Sequence, residues 1–289
     1  MTLIEGLRGS PGFLLFATTL LGLLVGSFLN VVILRLPRMM ELAWQREARE
    51  ILQLPAEPQE IFSLAQPPSR CPGCGAAIRP WQNIPVISWL LLRGRCAGCR
   101  TAISIQYPLV EAACGALSAA CAWRFGWSAA LPLALLLTWA LLALSVIDLR
   151  TQLLPDDITL PLLWLGLAAS LATVFVGPAA AIIGAITGYL SLWSVYWLFK
   201  LLTGKEGMGY GDFKLLGALG AWLGWEALPM VILLSSLVGA AVGIGLVLLR
   251  RHRREVPLPF GPYLAGAGWI VLIWGADLRG AYLLSLGAG

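Results

Sequence analysis

Charge is scarce in this chain. Asp, Glu, Lys and Arg make up 12% of its 289 residues, against 58% hydrophobic residues and a mean hydropathy of +0.81. A soluble domain of this size could not hide that much apolar surface, so the composition points to an all-α, polytopic membrane protein. Histidine is scarcer still. The single one, His252, sits in Arg250-Arg251-His252-Arg253-Arg254, which reads as a solvated basic loop. Histidine-based catalysis is therefore not expected, and no serine or cysteine has a base with which to form a triad. No internal repeat stands out, and no glycine-rich nucleotide fingerprint follows a strand. The first apolar run, Phe13 to Leu34, is too long for a signal-peptide core and lacks a small-residue cleavage site, so it is read as a retained span. The net charge of +5 is modest, and no nucleic-acid partner is expected.

What is abundant is apolar runs. About eight transmembrane helices are expected, near 13–34, 107–125, 130–148, 158–176, 179–201, 213–226, 228–249 and 259–276. The run from Phe213 is the weakest, because glycine and alanine dilute it, although small residues also allow close helix packing. With the N-terminus outside, only Arg8, Arg124 and Arg279 of the 20 basic residues remain on the outer side. This bias sets the orientation, with both termini periplasmic and the Arg35 to Gln106 loop cytoplasmic.

That loop begins with Met40, Trp44, Ala48 and Ile51 at helical spacing and charges opposite them. The pattern suits an amphipathic helix on the inner membrane surface, or equally one packed on its own small domain. Further on, Cys71-Pro72-Gly73-Cys74 and Cys96-Ala97-Gly98-Cys99 form two C-x-x-C knuckles. Two thiolates on each of two tight turns make a closed tetrahedral site, which suits structural zinc. The alternative is two disulfides, which a reducing cytoplasm opposes. Between the knuckles, Trp81 to Trp89 supplies either a small apolar core or a membrane-facing patch. Cys114 and Cys121 read as small buried apolar residues.

Two acids stand at the cytoplasmic ends of apolar runs. Asp148 closes the third, and Asp212 follows Gly209-Tyr210-Gly211 at the start of the sixth. Carboxylates from separate helices that meet can share one proton and activate a water. Asp212 could instead cap a helix; pairing with Lys214 is disfavoured, because a spacing of two puts them on different faces. Asp156 and Asp157 precede an apolar run and read as caps. A cation pathway is the competing reading, opposed by the absence of any midplane charge in spans three to six. A pure binding or assembly protein would need no acid pair.

Five stretches in order carry a resemblance: Gly26-Ser27-Phe28-Leu29-Asn30-Val31-Val32-Ile33 into Arg35-Leu36-Pro37; the knuckles with Asn83-Ile84-Pro85 and Ser88-Trp89 between them; Tyr107-Pro108-Leu109-Val110-Glu111; Asp148 with Leu154-Pro155-Asp156; and Gly209 to Lys214. The chain resembles the bacterial type IV prepilin peptidases, which also process the pseudopilins of type II secretion. The resemblance implies an intramembrane aspartyl protease of the Gly-x-Gly-Asp type, with Asp148 and Asp212 catalytic and Gly209, Gly211 and Lys214 in support. It implies cleavage of a short basic leader after glycine at the cytoplasmic face of the bacterial inner membrane. It also implies N-methylation of the new terminus with S-adenosylmethionine, an activity associated with the four-cysteine loop. The division expected from it is a first helix at 1–34, a zinc-binding methyl-transfer loop at 35–106, and a peptidase core at 107–289. Gly94 and Glu111 are the candidates for methyl-donor contact, with a turn glycine and a helix-start acid as their plainer readings. Leader recognition is expected from Glu206, Asp156 or Asp157. Oligomeric state and the particular pilins are not written in the sequence.

Overall fold

The computed structural model describes residue 7 and residues 9–55, 62–249 and 258–285. The basic run Arg250 to Arg254, with His252, lies outside the described residues. All eight expected spans coincide with helices, and the only β pairing among the described residues is two isolated bridges. Four segments, Pro11–Ile51, Ala130–Thr151, Pro178–Thr203 and Trp225–Leu246, are long and apolar enough to cross a membrane. The chain divides into two compact units, Met1–Trp127 and Ser128–Gly289.

The first unit is built on α1, Pro11–Ile51. Ser10 caps it by accepting from the Phe13 amide, and Pro11 at the first position fixes the entry backbone. The sequence suggests one helix ending at Leu34 and another beginning near Met40. The structure instead runs unbroken through Pro37, which is buried. A proline forfeits one helical hydrogen bond, but burial of Leu36 and Pro37 offsets that loss. Arg35 adds a tie, donating to the carbonyls of Ser63 (3.0 Å), Leu64 (3.3 Å) and Pro67 (2.6 Å). The Met40 to Ile51 stretch therefore continues α1 rather than forming a separate surface helix, and Trp44 and Ile51 are exposed. The short helix α2, Ile87–Leu91, lies between the knuckles, and α3, Gln106–Phe125, packs back along α1. Packing thus divides the chain after Trp127, whereas the expected divisions at 34/35 and 106/107 follow activity: the first falls inside α1, and the second separates α3 from its partner.

The second unit holds α4 (Ala130–Thr151), α5 (Asp156–Leu171), α6 (Pro178–Thr203), α7 (Tyr210–Leu223), α8 (Leu228–Leu248) and α9 (Gly261–Ser285). Its centre is α7, the run that looked weakest in sequence. Asp212, Phe213 and every residue from Leu215 to Trp222 are buried. At about 1.5 Å per residue its 14 residues span roughly 21 Å, short of a bilayer core. The helix does not need to reach across, because α5, α6 and α9 pack around it. Its glycines and alanines are contact surface: a Cβ on Gly188 of α6 would lie 2.6 Å from the Leu216 carbonyl oxygen. Trp222 closes the far end, its indole N–H donating to the Leu162 carbonyl at 2.8 Å.

Candidate active site and metal centre

Asp148 lies in the last turn of α4, which ends at Gln152 in a left-handed conformation. Asp212 lies in the first turn of α7, just after Gly209 in extended backbone. Both carboxyl groups are buried, at 5% and 6% exposure, and they are near enough for the charge of one to act on the other. Asp148 Oδ2 accepts from the Gly261 amide at 2.9 Å. Gly261 opens α9, so this N–H is one of the helix's unpaired donors, at the positive end of its dipole. A Cβ on Gly261 would stand 2.6 Å from that same oxygen, so only glycine allows this approach. Asp212 Oδ1 is buried with no hydrogen-bond partner. A buried acceptor left in this way is costly in a purely structural role and is suited to a proton shared across the pair, or to a reacting group. Together the two carboxyls have what general acid–base hydrolysis requires, a held acceptor and a free one.

The supporting residues expected from sequence fall around this pair with distinct roles. A Cβ on Gly211 would press on Leu154 Cβ at 2.7 Å, so this glycine lets the α4–α5 connection approach α7. Gly209 has no such crowding; its carbonyl accepts from the Asp212 amide at 3.3 Å. Lys214 reaches Asp156, at 2.6 and 2.7 Å to the two carboxylate oxygens, and so does not bind its neighbour Asp212. Asp156 and Asp157 are not caps: Pro155 occupies the cap position, and both acids stand in the first turn of α5, where the dipole favours them. Glu206 pairs with Lys200 at 2.8 Å, a hydrogen bond that holds its carboxyl below the usual range. Asp157 is exposed and has no ion pair among the described residues. Gly261 was not singled out from sequence. The available signal was Gly261-Pro262, a helix-start pattern placed opposite a run ending in an acid.

The four cysteines converge as expected. The Sγ atoms of Cys71, Cys74, Cys96 and Cys99 all lie within 4.8 Å of one another, and Cys71 to Cys99 is 3.7 Å. Tetrahedral zinc at about 2.3 Å from each sulfur puts ligands roughly 3.8 Å apart, so the donor set fits the ion. All four are free thiols rather than disulfides. The structure also shows a duplication that went unrecognised in the sequence. Arg70-Cys71-Pro72-Gly73-Cys74-Gly75-Ala76-Ala77 and Arg95-Cys96-Ala97-Gly98-Cys99-Arg100-Thr101-Ala102 build the same turn twice. Each is closed by an antiparallel bridge, Arg70 to Ala77 and Arg95 to Ala102, and each has a left-handed residue, Gly75 or Arg100. The repeat is one short turn long, and its conserved skeleton is only Arg-Cys-x-Gly-Cys-x-x-Ala. Local donors prepare the thiolates: the Thr101 hydroxyl at 3.1 Å, then its amide, bring Cys99 down to about 6. The Cys99 and Gly98 amides lower Cys96, while Cys74, favoured by the Ala76 amide, is pushed up to about 11 by the thiols of Cys99 and Cys71.

Gly94 and Glu111, the candidates for methyl-donor contact, both have close local contacts. Gly94 has φ +65°, and a Cβ there would meet the Trp89 ring at 2.8 Å. Glu111 is buried, and its Oε2 accepts from the Val86 amide at 2.7 Å.

Comparison with known proteins agrees with this layout. Residues 20–125 match the model of the bacterial peptidase A24 N-terminal domain, and residues 135–244 match that of the type IV leader peptidase family. The chain is 57% identical over 284 residues to the prepilin leader peptidase/N-methyltransferase of Stutzerimonas stutzeri, covering 98% of each. It is 55% identical over 287 residues to that of Pseudomonas putida, covering 99% of this chain and 100% of the relative. The corresponding Pseudomonas aeruginosa protein is 57% identical over 284 residues, again 98% of each. The chain belongs to the type IV leader peptidase family. No solved structure matches it. The two family models meet near the boundary between the compact units, so the cysteine site falls in the N-terminal domain and both aspartates in the leader peptidase domain. Gly261, which holds Asp148, lies beyond the residues that the leader peptidase model matches.

Proposed function

We propose that this chain is a bifunctional membrane enzyme that removes the leader of type IV prepilins and type II secretion pseudopilins and then N-methylates the new terminus. The observation that carries the peptidase half is the pair of buried carboxyls, Asp148 and Asp212, presented by the ends of two separate helices. Asp148, held by the α9 amide, takes a proton from the attacking water. Asp212, whose Oδ1 has no other partner, carries the shared proton and donates it to the scissile carbonyl. As the tetrahedral intermediate collapses, the proton on Asp148 passes to the leaving amine while Asp212 takes back the hydroxyl proton, which re-forms the carbonyl and restores the singly protonated pair. No covalent enzyme intermediate is needed.

The methyl-transfer half rests on the near full-length likeness to relatives bearing both names, and on the four-cysteine loop. Cys71, Cys74, Cys96 and Cys99 would hold zinc, which supplies a structural cross-link with no open coordination position. S-adenosylmethionine would be the methyl donor. The site faces the cytoplasm of a bacterial inner membrane in this reading, so the prepilin's apolar helix stays in the bilayer while its basic leader lies in water. Asp157 is the acid still available to that leader, since Glu206 and Asp156 already hold lysines.

The test is intact-mass analysis of a prepilin incubated with purified enzyme and S-adenosylmethionine. Leader loss plus one methyl is expected from wild type, with cleavage abolished in Asp148→Asn and in Asp212→Asn. Unchanged cleavage in either variant would discard the acid pair, and cleavage without a methyl would remove the second activity.

A further inference from the structure

Between the knuckles, the side chains of Trp81 (58% exposed), Ile84, Ile87, Leu90 and Leu91 (79% exposed) face outward from a five-residue helix and its approach. On a cytoplasmic loop such a surface would be a liability. Its depth explains it. α1 and α3 run side by side, with Asn30 donating to the Tyr107 carbonyl at 3.1 Å and Gly26 so close to Glu111 that an added Cβ would be 2.8 Å from its Cα. Glu111 therefore lies level with Gly26. Gly26 is nine residues before Arg35, which at 1.5 Å per residue places it about 13 Å below the first cytoplasmic charge. Glu111 takes the Val86 amide, so the Pro85–Leu92 segment is pinned well below the surface at which α1 leaves the apolar layer.

Irregular backbone at that depth is tolerated only if its polar groups are satisfied from within the protein. Here they are. Val86, at φ +60° and ψ −50°, turns the chain so tightly that the Ile87 amide reaches the Pro85 carbonyl at 2.6 Å, and its own amide is taken by Glu111. The amides of Ser88, Leu90, Leu92, Arg93 and Gly94 donate to Ile84, Val86, Ser88, Leu90 and Trp89. The inner face is sealed by Trp89, whose indole donates to the Ile103 carbonyl at 3.2 Å. The outer face is mainly apolar, with Asn83 the exposed polar side chain between Trp81 and Ile84, and it is flanked by Arg93 and by Arg79, whose guanidinium lies 5.1 Å above the Trp81 ring. Arginines and an interfacial tryptophan at the rim of an apolar wedge suit anionic headgroups above and acyl chains below.

We infer that Trp81–Leu92 is a re-entrant segment seated in the cytoplasmic leaflet of an anionic bilayer, with Glu111 as its membrane-depth anchor. The reading resolves the choice between an internal core and a membrane-facing patch: Trp89 serves the first and Trp81, Ile84, Ile87, Leu90 and Leu91 form the second.

The test places the full chain in nanodiscs of phosphatidylethanolamine and phosphatidylglycerol containing a lipid with a photoactivatable diazirine on its acyl chain. Peptide mapping should find the carbene adduct on Trp81–Leu92 at a density like that on the outward faces of α4 and α6. The Met40–Ile51 stretch and the knuckles should be labelled at least several-fold less. Leu90→Asp with Leu91→Asp should lower the adduct on this segment several-fold while all four cysteines still bind zinc, which reports a folded loop. Labelling of Trp81–Leu92 no higher than the knuckles would overturn the inference. So would adducts that vanish on adding prepilin, because the occupant of the wedge would then be the substrate helix, or cross-links joining two copies of this segment.

Discussion

The aspartate site and the cysteine site show two ways of bringing four to six residues together. The cysteines are gathered by short-range means: each C-x-x-C turn closes on itself through a bridge a few residues away, and the same turn is built twice. The aspartates are gathered by packing. Asp148 and Asp212 stand on different helices, and Asp148 is held by a third that begins 113 positions later in the chain. The first kind of site can be assembled by a metal and a few glycines. The second exists only when α7 is buried among its neighbours, and it is correspondingly sensitive to changes of a single methyl group.

The largest expected effect is on the packed site. Asp148→Asn or Asp212→Asn should lower prepilin cleavage by about 10³-fold or more, since general acid–base groups are worth roughly 10²–10⁴. Methylation of a pre-cleaved pilin should be unaffected. Gly261→Ala comes next: its methyl cannot share space with Asp148 Oδ2, and a carboxylate displaced by about 1 Å should cost on the order of 10²-fold in kcat. Gly211→Ala, pressing on Leu154, offers a check that the effect is specific to the held oxygen, because it should raise KM or lower stability before it touches the acid pair.

On the cysteine side the expected effects fall on the other activity. Removing zinc with a chelator, or Cys71→Ser with Cys96→Ser, should lower methyl transfer at least about tenfold and leave cleavage within a few-fold. A parallel loss of cleavage would show that the locally built site also supports the packed one. Glu111→Gln replaces the carboxyl that takes the Val86 amide with a weaker amide acceptor, a change worth about 1 kcal/mol. It should loosen residues 84–94 in hydrogen exchange and reduce methylation several-fold. The smallest effect belongs to the surface: Asp157→Asn should raise KM for a basic leader about two- to three-fold, more at low salt than high, as exposed charges do.

Much of this was legible in the chain itself. Apolar runs located every helix of the second unit, because bilayer burial demands length and hydrophobicity that few other structures need. The C-x-x-C spacing predicted the metal site, because its geometry is written within a few residues. Pro37 misled, since a proline's local preference to end a helix was outweighed by burial along α1. The glycine-diluted α7 looks weakest by hydropathy, which counts what lipid would favour, but its small residues also read as packing surface, and α7 meets mainly other helices. Composition and spacing thus determined that the protein lies in a membrane, that it carries a closed thiolate site, and that two acids end apolar runs. Only the tertiary structure decided which amide holds Asp148, which acid Lys214 takes, and that Glu111 anchors Val86. Those contacts join residues whose separation along the chain carries no periodic or compositional trace, and they appear only once the helices have packed.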